Sequence, residues 1–304
     1  MRRRDLIVAG LAGLVWPMAR PRDAAVRKRL AALERQAGGR LGVAMHDVAS
    51  GRHLEYRAEE RFPMASTFKW LLAAQVLSRL DAGKEQLSRV LPFGPGDLLE
   101  YAPVTKEHVK EGGMTVLALA EAAVEYSDNT AANLLLATVG GPAGLTAFCR
   151  SIGDRVTRLD RNEPDLNTAE PRDARDTTSP AAMVENLRTL LFGKKLSVGS
   201  REILIGWLVA NTTGGAKIRA GLPAGWRVGD KTGMGGHGST NDVAIVWPPG
   251  RGPVLVAAYL TGSDAEVGVR NGALAGVGRV MAEWAGAPSA PGKREHRTKK
   301  KAIR

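Results

Sequence analysis

Residues 64–77 read MASTFKWLLAAQVL and place a serine and a lysine, three residues apart, at the start of an apolar helical run. The apolar residues that follow predict a helix that packs in the protein interior. Ser66 is predicted to be the N-cap or a first-turn residue of this helix, and Lys69 lies one turn later on the same side. The two side chains can therefore touch, although packing alone would require neither a hydroxyl nor an ammonium there.

The chemistry of such a pair suits acyl transfer. A serine hydroxyl is a weak nucleophile until a base takes its proton, and a lysine in a partly desolvated cleft can lose its own proton and act as that base. The helix N-terminus favours negative charge that forms at Ser66. A serine cap followed by a surface lysine is the alternative, and the S-x-x-K pattern is expected about once by chance in a chain of this length. Further motifs must therefore decide.

The sequence around this helix shows two patterns of hydrophobic periodicity. Residues 40–62 alternate apolar and polar residues around a Ser-Gly turn, which predicts a β-hairpin. Three strand-like runs and one helical run lie near the C-terminus, at residues 226–233, 239–249, 252–262 and 271–286. Between about residue 62 and residue 207 the periodicity is helical. Helix starts are predicted there at Thr115, at Asn129 or Thr130, and at Thr178 or Ser179.

These two patterns predict an all-α domain inserted into an α/β sheet domain. The sheet domain comprises residues 25–61 and 208–287, and the all-α domain comprises residues 62–207. A chain of 304 residues with 44% hydrophobic residues can bury a core in each. A ligand site is expected in the cleft between two such lobes.

Ser127-Asp128-Asn129 is a polar triplet between two apolar helical segments. A helix-to-helix connection, in which Asp and Asn satisfy backbone groups, is one explanation, and it accounts for Asp128. Ser127 and Asn129 are predicted to face the cleft.

Lys231-Thr232-Gly233 ends a predicted strand, and a turn rich in glycine follows it. A phosphate-binding loop is excluded, because its glycines would precede the lysine and a helix would follow. A glycine-rich hairpin on an edge strand is the alternative, but it leaves Lys231 unexplained. The strand is therefore predicted to line a substrate.

Residues 158–178 form a polar loop of a length that indicates function. Glu163 and Asn167 lie within it. Arg161 and Asp176 are predicted to pair across its neck, with a surface ion pair of little energetic weight as the alternative.

With these motifs in this order, the sequence resembles the class A β-lactamases from about residue 30 to residue 286. The resemblance implies the serine β-lactamase and penicillin-binding fold, a five-stranded antiparallel sheet flanked by helices with an inserted all-α domain. It implies hydrolysis of the β-lactam amide of penicillins and cephalosporins, and hence antibiotic resistance.

The resemblance also assigns catalytic roles. Ser66 attacks the β-lactam carbonyl and forms an acyl-enzyme, whose oxyanion is held by the backbone N–H groups of Ser66 and Met234. Ser127 passes a proton to the lactam nitrogen as the ring opens. Lys69, Lys231 and Ser127 form the hydrogen-bonded network around the nucleophile.

Glu163, aided by Asn167, holds and activates the water that hydrolyses the acyl-enzyme. Whether Glu163 or Lys69 deprotonates Ser66 stays open. The implied substrate contacts are Asn129 for the side-chain amide, Tyr101 as an aromatic wall, Lys231 and Thr232 for the carboxylate, and Gly233 and Met234 along the strand.

Two positions depart from the family pattern. Met234 stands where relatives often carry Ser, Thr or Ala, and it offers the substrate carboxylate no hydroxyl, while its backbone N–H still serves the oxyanion. Thr240 stands where many relatives have an arginine. Lys217 or Arg270 is predicted to supply the missing cation, with an ordinary surface charge as the alternative for each.

Two rival functions remain from the sequence. A penicillin-binding D,D-peptidase shares the Ser/Lys and Lys-Thr-Gly elements but lacks the loop that bears Glu163. A non-catalytic cell-wall binding protein would need neither Lys69 nor Glu163. No metal or cofactor is expected, because the five histidines show no ligand spacing.

The net charge of +12 lies at the chain ends. Residues 1–30 carry eight Arg or Lys and two Asp, residues 293–304 carry seven and one Glu, and the remainder is balanced. A basic nucleic-acid groove is therefore not expected on the body.

Residues 1–24 are predicted to be an export signal, with Arg3-Arg4 resembling a twin-arginine motif. The mature protein is expected to be a periplasmic or secreted monomer without stable membrane insertion. Residues 288–304 are predicted to be a disordered basic tail, with adhesion to an anionic envelope or nucleic acid as the alternative. Cys149 is the only cysteine and is predicted to be a buried small residue, with a reactive thiol as the alternative.

Overall fold

Nine strands and eight α-helices lie within residues 21–286, the part of the chain that the computed structural model describes. In chain order the strands are β1 (Arg40–Asp47), β2 (His53–Tyr56), β3 (Phe62–Pro63), β4 (Val90–Pro92), β5 (Gly113–Thr115), β6 (Thr177–Thr178), β7 (Arg227–Met234), β8 (Thr240–Trp247) and β9 (Val254–Thr261). The helices are α1 (Pro21–Ala37), α2 (Phe68–Asp81), α3 (Val116–Glu125), α4 (Asn129–Thr138), α5 (Gly141–Ser151), α6 (Pro180–Phe192), α7 (Val198–Ala210) and α8 (Val267–Trp284).

The five predicted strands form one antiparallel sheet in the order β2-β1-β9-β8-β7. Strand β1 pairs with β2 through the predicted hairpin and with β9 along its whole length, from Arg40 opposite Thr261 to Asp47 opposite Val254. Strand β7, which carries the Lys-Thr-Gly motif, is an edge strand. The predicted fold class, a five-stranded antiparallel sheet flanked by helices, is confirmed.

Both faces of the sheet are covered, which explains the continuous apolar runs of β8 and β9. Successive side chains along a strand point to opposite faces. Val256 therefore packs in a core with Leu30 of α1 and Leu274 of α8. The next residue, Ala257, packs in a second core with α2, α3, α4 and α6.

Helix α2 is the centre of the helical part, because all of its first ten residues, from Phe68 to Leu77, are buried. Its predicted start was wrong. Ser66 lies in a short 3-10 turn, Ala65–Thr67, and Thr67 occupies the N-cap position of α2. Ser66 is therefore aimed by the turn and not by a helix cap.

The turn that carries Ser66 is held from outside the helix. Asn241 of β8 donates hydrogen bonds from its side-chain Nδ2 to the carbonyls of Pro63 and Met64, at 2.9 Å and 3.1 Å. Thr67 Oγ1 also bonds to the Met64 carbonyl, at 2.8 Å. Helical periodicity cannot reveal such contacts, because Asn241 is nearly 180 residues away along the chain.

The other predicted helix starts agree with the structure. Thr115 and Ser179 cap α3 and α6 through their side-chain oxygens. Asn129 is the first residue of α4, while Asp128 is its cap. The carboxylate of Asp128 also accepts two N–H groups of the preceding loop, so its predicted role in satisfying backbone groups is confirmed.

Some elements differ from the predictions. Four short strands, β3 to β6, lie within residues 62–207, and α7 continues past residue 207 to Ala210. Helix α1 was not predicted, because its many charged residues obscure a short apolar stripe of Val26, Leu30 and Ala37. The predicted signal lies outside the described residues except for residues 21–24, which begin α1, and the predicted tail lies wholly outside them.

Cys149 is a buried free thiol, as predicted, and burial raises its pKa to about 12. Within residues 21–286 no single helix is long and apolar enough to cross a membrane; α4 and α5 meet that requirement only jointly, across a bend of 72°.

Candidate active site

A cleft of about 330 Å³ opens where the edge of β7 faces the helical part of the chain. Its lining residues are Ser66, Tyr101, Ser127, Asn129, Asn167, Thr213, Lys217, Thr232, Gly233 and Met234. Lys69, Glu163 and Lys231 are buried, with exposed fractions of 0%, 4% and 0%. Of these residues only Thr213 was absent from the sequence predictions.

Ser66, Lys69 and Glu163 form one hydrogen-bonded group. Ser66 Oγ donates to Glu163 Oε1 at 3.3 Å, and Lys69 Nζ lies 3.0 Å from the same oxygen. Lys69 Nζ also donates to the carbonyl of Ser127 at 2.7 Å and to Asn129 Oδ1 at 2.5 Å. Among the described residues no hydrogen bond joins Lys69 to Ser66 Oγ. The predicted contact between the two side chains is therefore made through Glu163.

Ser127 and Lys231 form a second hydrogen-bonded group, which adjoins the first. Lys231 Nζ donates to Ser127 Oγ at 3.0 Å and to the carbonyl of Thr232 at 2.9 Å. Ser127 has a φ of 60°, a conformation that is uncommon outside glycine. Lys69 bonds to the backbone carbonyl of Ser127 and Lys231 to its hydroxyl, so Ser127 links the two lysines.

Burial shifts the pKa of both lysines. Desolvation lowers the pKa of Lys69, and the neighbouring Glu163 opposes that shift. Desolvation also lowers the pKa of Lys231 well below its usual range, and the charge of Lys69 adds to the effect. The site therefore holds two amines that exchange protons more readily than a surface lysine would.

The neck of residues 158–178, the Glu163 loop, is closed by a buried ion pair. Arg161 Nε lies 2.6 Å from Asp176 Oδ2, and the Asp176 side chain is 1% exposed. Asp176 Oδ1 also accepts the backbone N–H groups of Asp160 and Arg161. The predicted pair is confirmed, and the alternative of a surface ion pair is wrong.

Asn133 of α4 holds Glu163 in place. Its Oδ1 accepts the backbone N–H of Glu163 at 3.0 Å, and its Nδ2 donates to the Glu163 carbonyl at 2.9 Å. Asn167 Nδ2 donates to the carboxylate itself. Asn133 was not predicted; its signal is a single amide directly before three leucines of an apolar helix.

The glycines after Lys231 allow close approach of other backbones. A Cβ at Gly233 would lie 2.7 Å from the Met64 carbonyl oxygen, beside the turn that carries Ser66. A Cβ at Gly236 would lie 2.3 Å from the Thr168 carbonyl oxygen in the Glu163 loop. Both distances are too short for a side chain, so glycine brings β7 against the two segments that carry Ser66 and Glu163.

Known proteins have a similar sequence and the same fold. A sequence model of the β-lactamase enzyme family matches residues 25–283. The structure is similar to that of an ancestral class A β-lactamase, with a TM-score of 0.84, 61% identity, and coverage of 85% of this chain and 99% of that one. The chain belongs to the class A β-lactamase family.

This β-lactamase is also similar to two characterised relatives. It is 48% identical to β-lactamase CTX-M-8 of Citrobacter amalonaticus over 258 residues, which cover 85% of this chain and 88% of the relative. It is 50% identical to β-lactamase AST-1 of Nocardia asteroides over 258 residues, which cover 85% and 83%. The protein is thus an enzyme, a hydrolase that acts on β-lactam amides.

One end of the β-lactamase cleft carries hydroxyls and a cation. The side-chain oxygens of Thr213 and Thr232 lie 2.5 Å apart, and Lys217 lines the cleft beside them. Arg270 is not among the lining residues; its guanidinium packs near Gly238, where a Cβ would lie 3.1 Å from Nη1. Of the two predicted cations, the structure brings only Lys217 into the cleft.

Tyr101 and Met234 form the rim of the β-lactamase cleft, with exposed fractions of 52% and 46%. Among the described residues no group of three or more His, Cys, Asp or Glu is arranged to hold a metal ion.

Proposed function

We propose that this β-lactamase opens the β-lactam ring by a two-step acyl transfer through Ser66. The hydrogen bond from Ser66 Oγ to Glu163, with Lys69 against the same carboxylate oxygen, carries this proposal. A nucleophile bonded to a base, with the base oriented by a third group, is the arrangement that covalent catalysis requires. The activity gives resistance to penicillins and cephalosporins.

In the first step Glu163 takes the proton of Ser66 as Oγ attacks the carbonyl. The hydrogen bonds favour Glu163 over Lys69 as this base, because Lys69 Nζ donates to other oxygens. The backbone N–H groups of Ser66 and Met234 hold the oxyanion that forms. Ser127, bonded to Lys231, passes its proton to the lactam nitrogen as the ring opens. The proton that Glu163 took is passed on through Lys69 to replace the one that Ser127 lost, so Glu163 is again a carboxylate before the second step.

In the second step Glu163 activates the water that hydrolyses the acyl-enzyme. Asn167 supports this role, since its Nδ2 bonds to Glu163. Asn167 Oδ1 is buried without a hydrogen-bond partner among the described residues and can accept a bond from that water.

The substrate contacts follow from the free groups of the cleft. Asn129 Oδ1 is used by Lys69, so its Nδ2 is left to donate to the side-chain amide of the substrate. Lys217, Thr232 and Lys231 bind the substrate carboxylate. Tyr101, Gly233 and Met234 line the remaining walls.

Replacing Glu163 by Ala tests the two-step mechanism. We expect deacylation to fall by about 100-fold to 10,000-fold, because the general base is removed. Acylation also slows, because Lys69 must then replace Glu163 as the base for Ser66. Mass spectrometry after mixing with benzylpenicillin should still show an adduct that persists on Ser66 in the variant, whereas the wild type releases opened drug. Ser66→Ala is the control and should form no adduct.

The same measurement separates the rival functions. If the protein is a D,D-peptidase, the unmutated protein would stay acylated and would give only a stoichiometric burst. A non-catalytic binding protein would give neither adduct nor opened drug. Unchanged turnover in Glu163→Ala would remove the Glu163 loop from the mechanism.

We also propose an exported, monomeric enzyme of two domains. The twin-arginine-like start of residues 1–24 supports export to the periplasm or medium. The sheet domain comprises residues 25–61 and 208–287, and the helical domain comprises residues 62–207, with the last turn of α7 crossing the boundary.

A further inference from the structure

A cluster of charges lies behind the carboxylate end of the cleft. Its members are the buried Lys217, Asp230 and Asp242 and the partly exposed Arg219. Asp230 and Asp242 are both 0% exposed. Asp242 of β8 pairs directly with Thr232 of β7, so it lies one strand behind a residue of the cleft.

Both carboxylate oxygens of Asp230 have a partner. One carboxylate oxygen forms an ion pair with Arg219, and the other accepts a hydrogen bond from Asn211 Nδ2 at 2.8 Å. Arg219 is therefore committed to Asp230.

Only one carboxylate oxygen of Asp242 has a hydrogen-bond partner among the described residues. Oδ2 accepts the backbone N–H of Ile218 at 3.0 Å, while Oδ1 is buried and has no hydrogen-bond partner among the described residues. An unmatched carboxylate oxygen in the interior is destabilising, because water no longer solvates it. A role beyond stability would explain why an acid occupies this position.

Lys217 is the cation that completes the arrangement. Its side chain lines the cleft, yet the residue is only 5% exposed, and among the described residues no hydrogen bond or ion pair engages its ammonium. Burial lowers the pKa of Lys217, and Asp242 is the first of two carboxylates that oppose this shift. Ile218, the residue bonded to Asp242, directly follows Lys217.

We propose that Asp242 is a positioning residue for Lys217. Its bond to Ile218 fixes the backbone from which Lys217 enters the cleft, and its negative charge keeps the ammonium available for the carboxylate of an anionic β-lactam. This inference rests on the proposed function, in which Lys217 binds that carboxylate.

The expected pH dependence follows from the sign of the interaction. Ionised Asp242 raises the pKa of Lys217, so replacing Asp242 by Asn lowers that pKa and the ammonium is lost at a lower pH. Burial and the charge of Asp230 raise the pKa of Asp242 itself well above its usual range, and Lys217 opposes that shift. The effect is therefore expected at the alkaline end of the pH range, where Asp242 is ionised. The other charged groups that face the pair, Asp230 on β7 and Arg219 in the turn after Lys217, stay in the variant.

The experiment measures kcat and KM of the full-length enzyme for benzylpenicillin from pH 6 to pH 10. Asp242→Asn should raise KM about 10-fold at pH 8 with kcat changed less than about 3-fold. The alkaline limb of kcat/KM should move to lower pH. Benzylpenicillin methyl ester, which lacks the negative charge, should show no such change in KM.

A conservative rescue separates positioning from a merely structural role. Arginine stays charged over this pH range, so Lys217→Arg in the Asp242→Asn background should restore the alkaline limb. If Asp242→Asn does not fold, Asp242→Ser keeps an acceptor for Ile218 and carries the same test. An unchanged KM, an equal effect on the ester, or a limb that arginine does not restore would overturn the inference. Loss of Ser66 acylation in the wild type would instead overturn the proposed function.

Discussion

Single residues of the active site show how a buried ammonium can be tolerated. Removing a charge from water is strongly unfavourable unless hydrogen bonds and opposite charge replace the solvent. Lys69 has three oxygen partners and Lys231 has two, so each ammonium is matched although neither is exposed. The same burial lowers the pKa of both amines, which links their stability in the fold to their use in proton transfer.

The choice of cation for the substrate carboxylate is a prediction at this scale. Replacing Lys217 by Met removes a charge-assisted contact, so KM for benzylpenicillin should rise about 10-fold to 100-fold while kcat changes less than about 3-fold. Arg270→Met is the matched control, because Arg270 lies outside the cleft, and should change KM less than about 2-fold. Steady-state kinetics check both. A larger effect at Arg270 would contradict the assignment.

The residues found from sequence belong to motifs, and those missed do not. Ser66, Ser127 and Lys231 stand in patterns whose chemistry is recognisable. Asn133 and Asn241 act through hydrogen bonds to backbones far away along the chain. A single amide in a helix or strand carries no pattern, so only the folded structure shows what it holds.

At the scale of elements, the site depends on backbones that pass within contact of one another. The turn after β7 approaches the Glu163 loop so closely that Gly236 N–H donates to the Asn167 carbonyl at 2.7 Å. The neck of that loop is closed by Arg161 and Asp176. The loop is therefore held at both ends of the segment that carries Glu163.

Gly236→Ala tests this contact between elements. A Cβ there would lie 2.3 Å from the Thr168 carbonyl oxygen, so the Glu163 loop must shift. We expect the free energy of unfolding to fall by about 1–3 kcal/mol and deacylation to slow. Thermal or denaturant unfolding and single-turnover kinetics with benzylpenicillin measure the two effects.

Gly206→Ala is the matched control. Gly206 is an exposed residue within α7, and no atom outside the adjacent part of its own helix lies within 4 Å of its Cβ position. Alanine should stabilise the helix there by about 0.5–1 kcal/mol and leave deacylation unchanged. Equal behaviour of the two variants would show that the Gly236 contact is not tight.

The elements themselves were predicted where one pattern dominates. The five sheet strands and helices α3, α6 and α8 follow alternation, caps and periodicity. Helix α1 was not predicted because its many charged residues hide the short row of apolar residues on one face. The start of α2 was misplaced because strand β8 holds the turn before it. Local patterns report local forces, and these two cases depend on tertiary contacts.

At the scale of the whole molecule, charge is separated from catalysis. Residues 31–292 carry equal numbers of basic and acidic residues, while each end of the chain has a formal charge of +6. The described fold closes at Gly286, with Trp284 and Ala285 buried. The basic residues 293–304 therefore follow α8, the last of the described elements, which packs on the sheet.

Deleting residues 288–304 should leave hydrolysis intact. The deletion removes seven Arg or Lys and one Glu, and no residue of the cleft. We expect kcat/KM for benzylpenicillin to change less than about 2-fold, because the cleft and its supporting bonds remain.

The truncated enzyme should elute from a cation-exchange resin at lower salt and bind less to phosphatidylglycerol vesicles, since attraction to anionic surfaces scales with positive charge. A full-length variant with these basic residues replaced by Gln should match the truncation in both assays. A large loss of turnover in either would show that the basic segment supports the fold or the site.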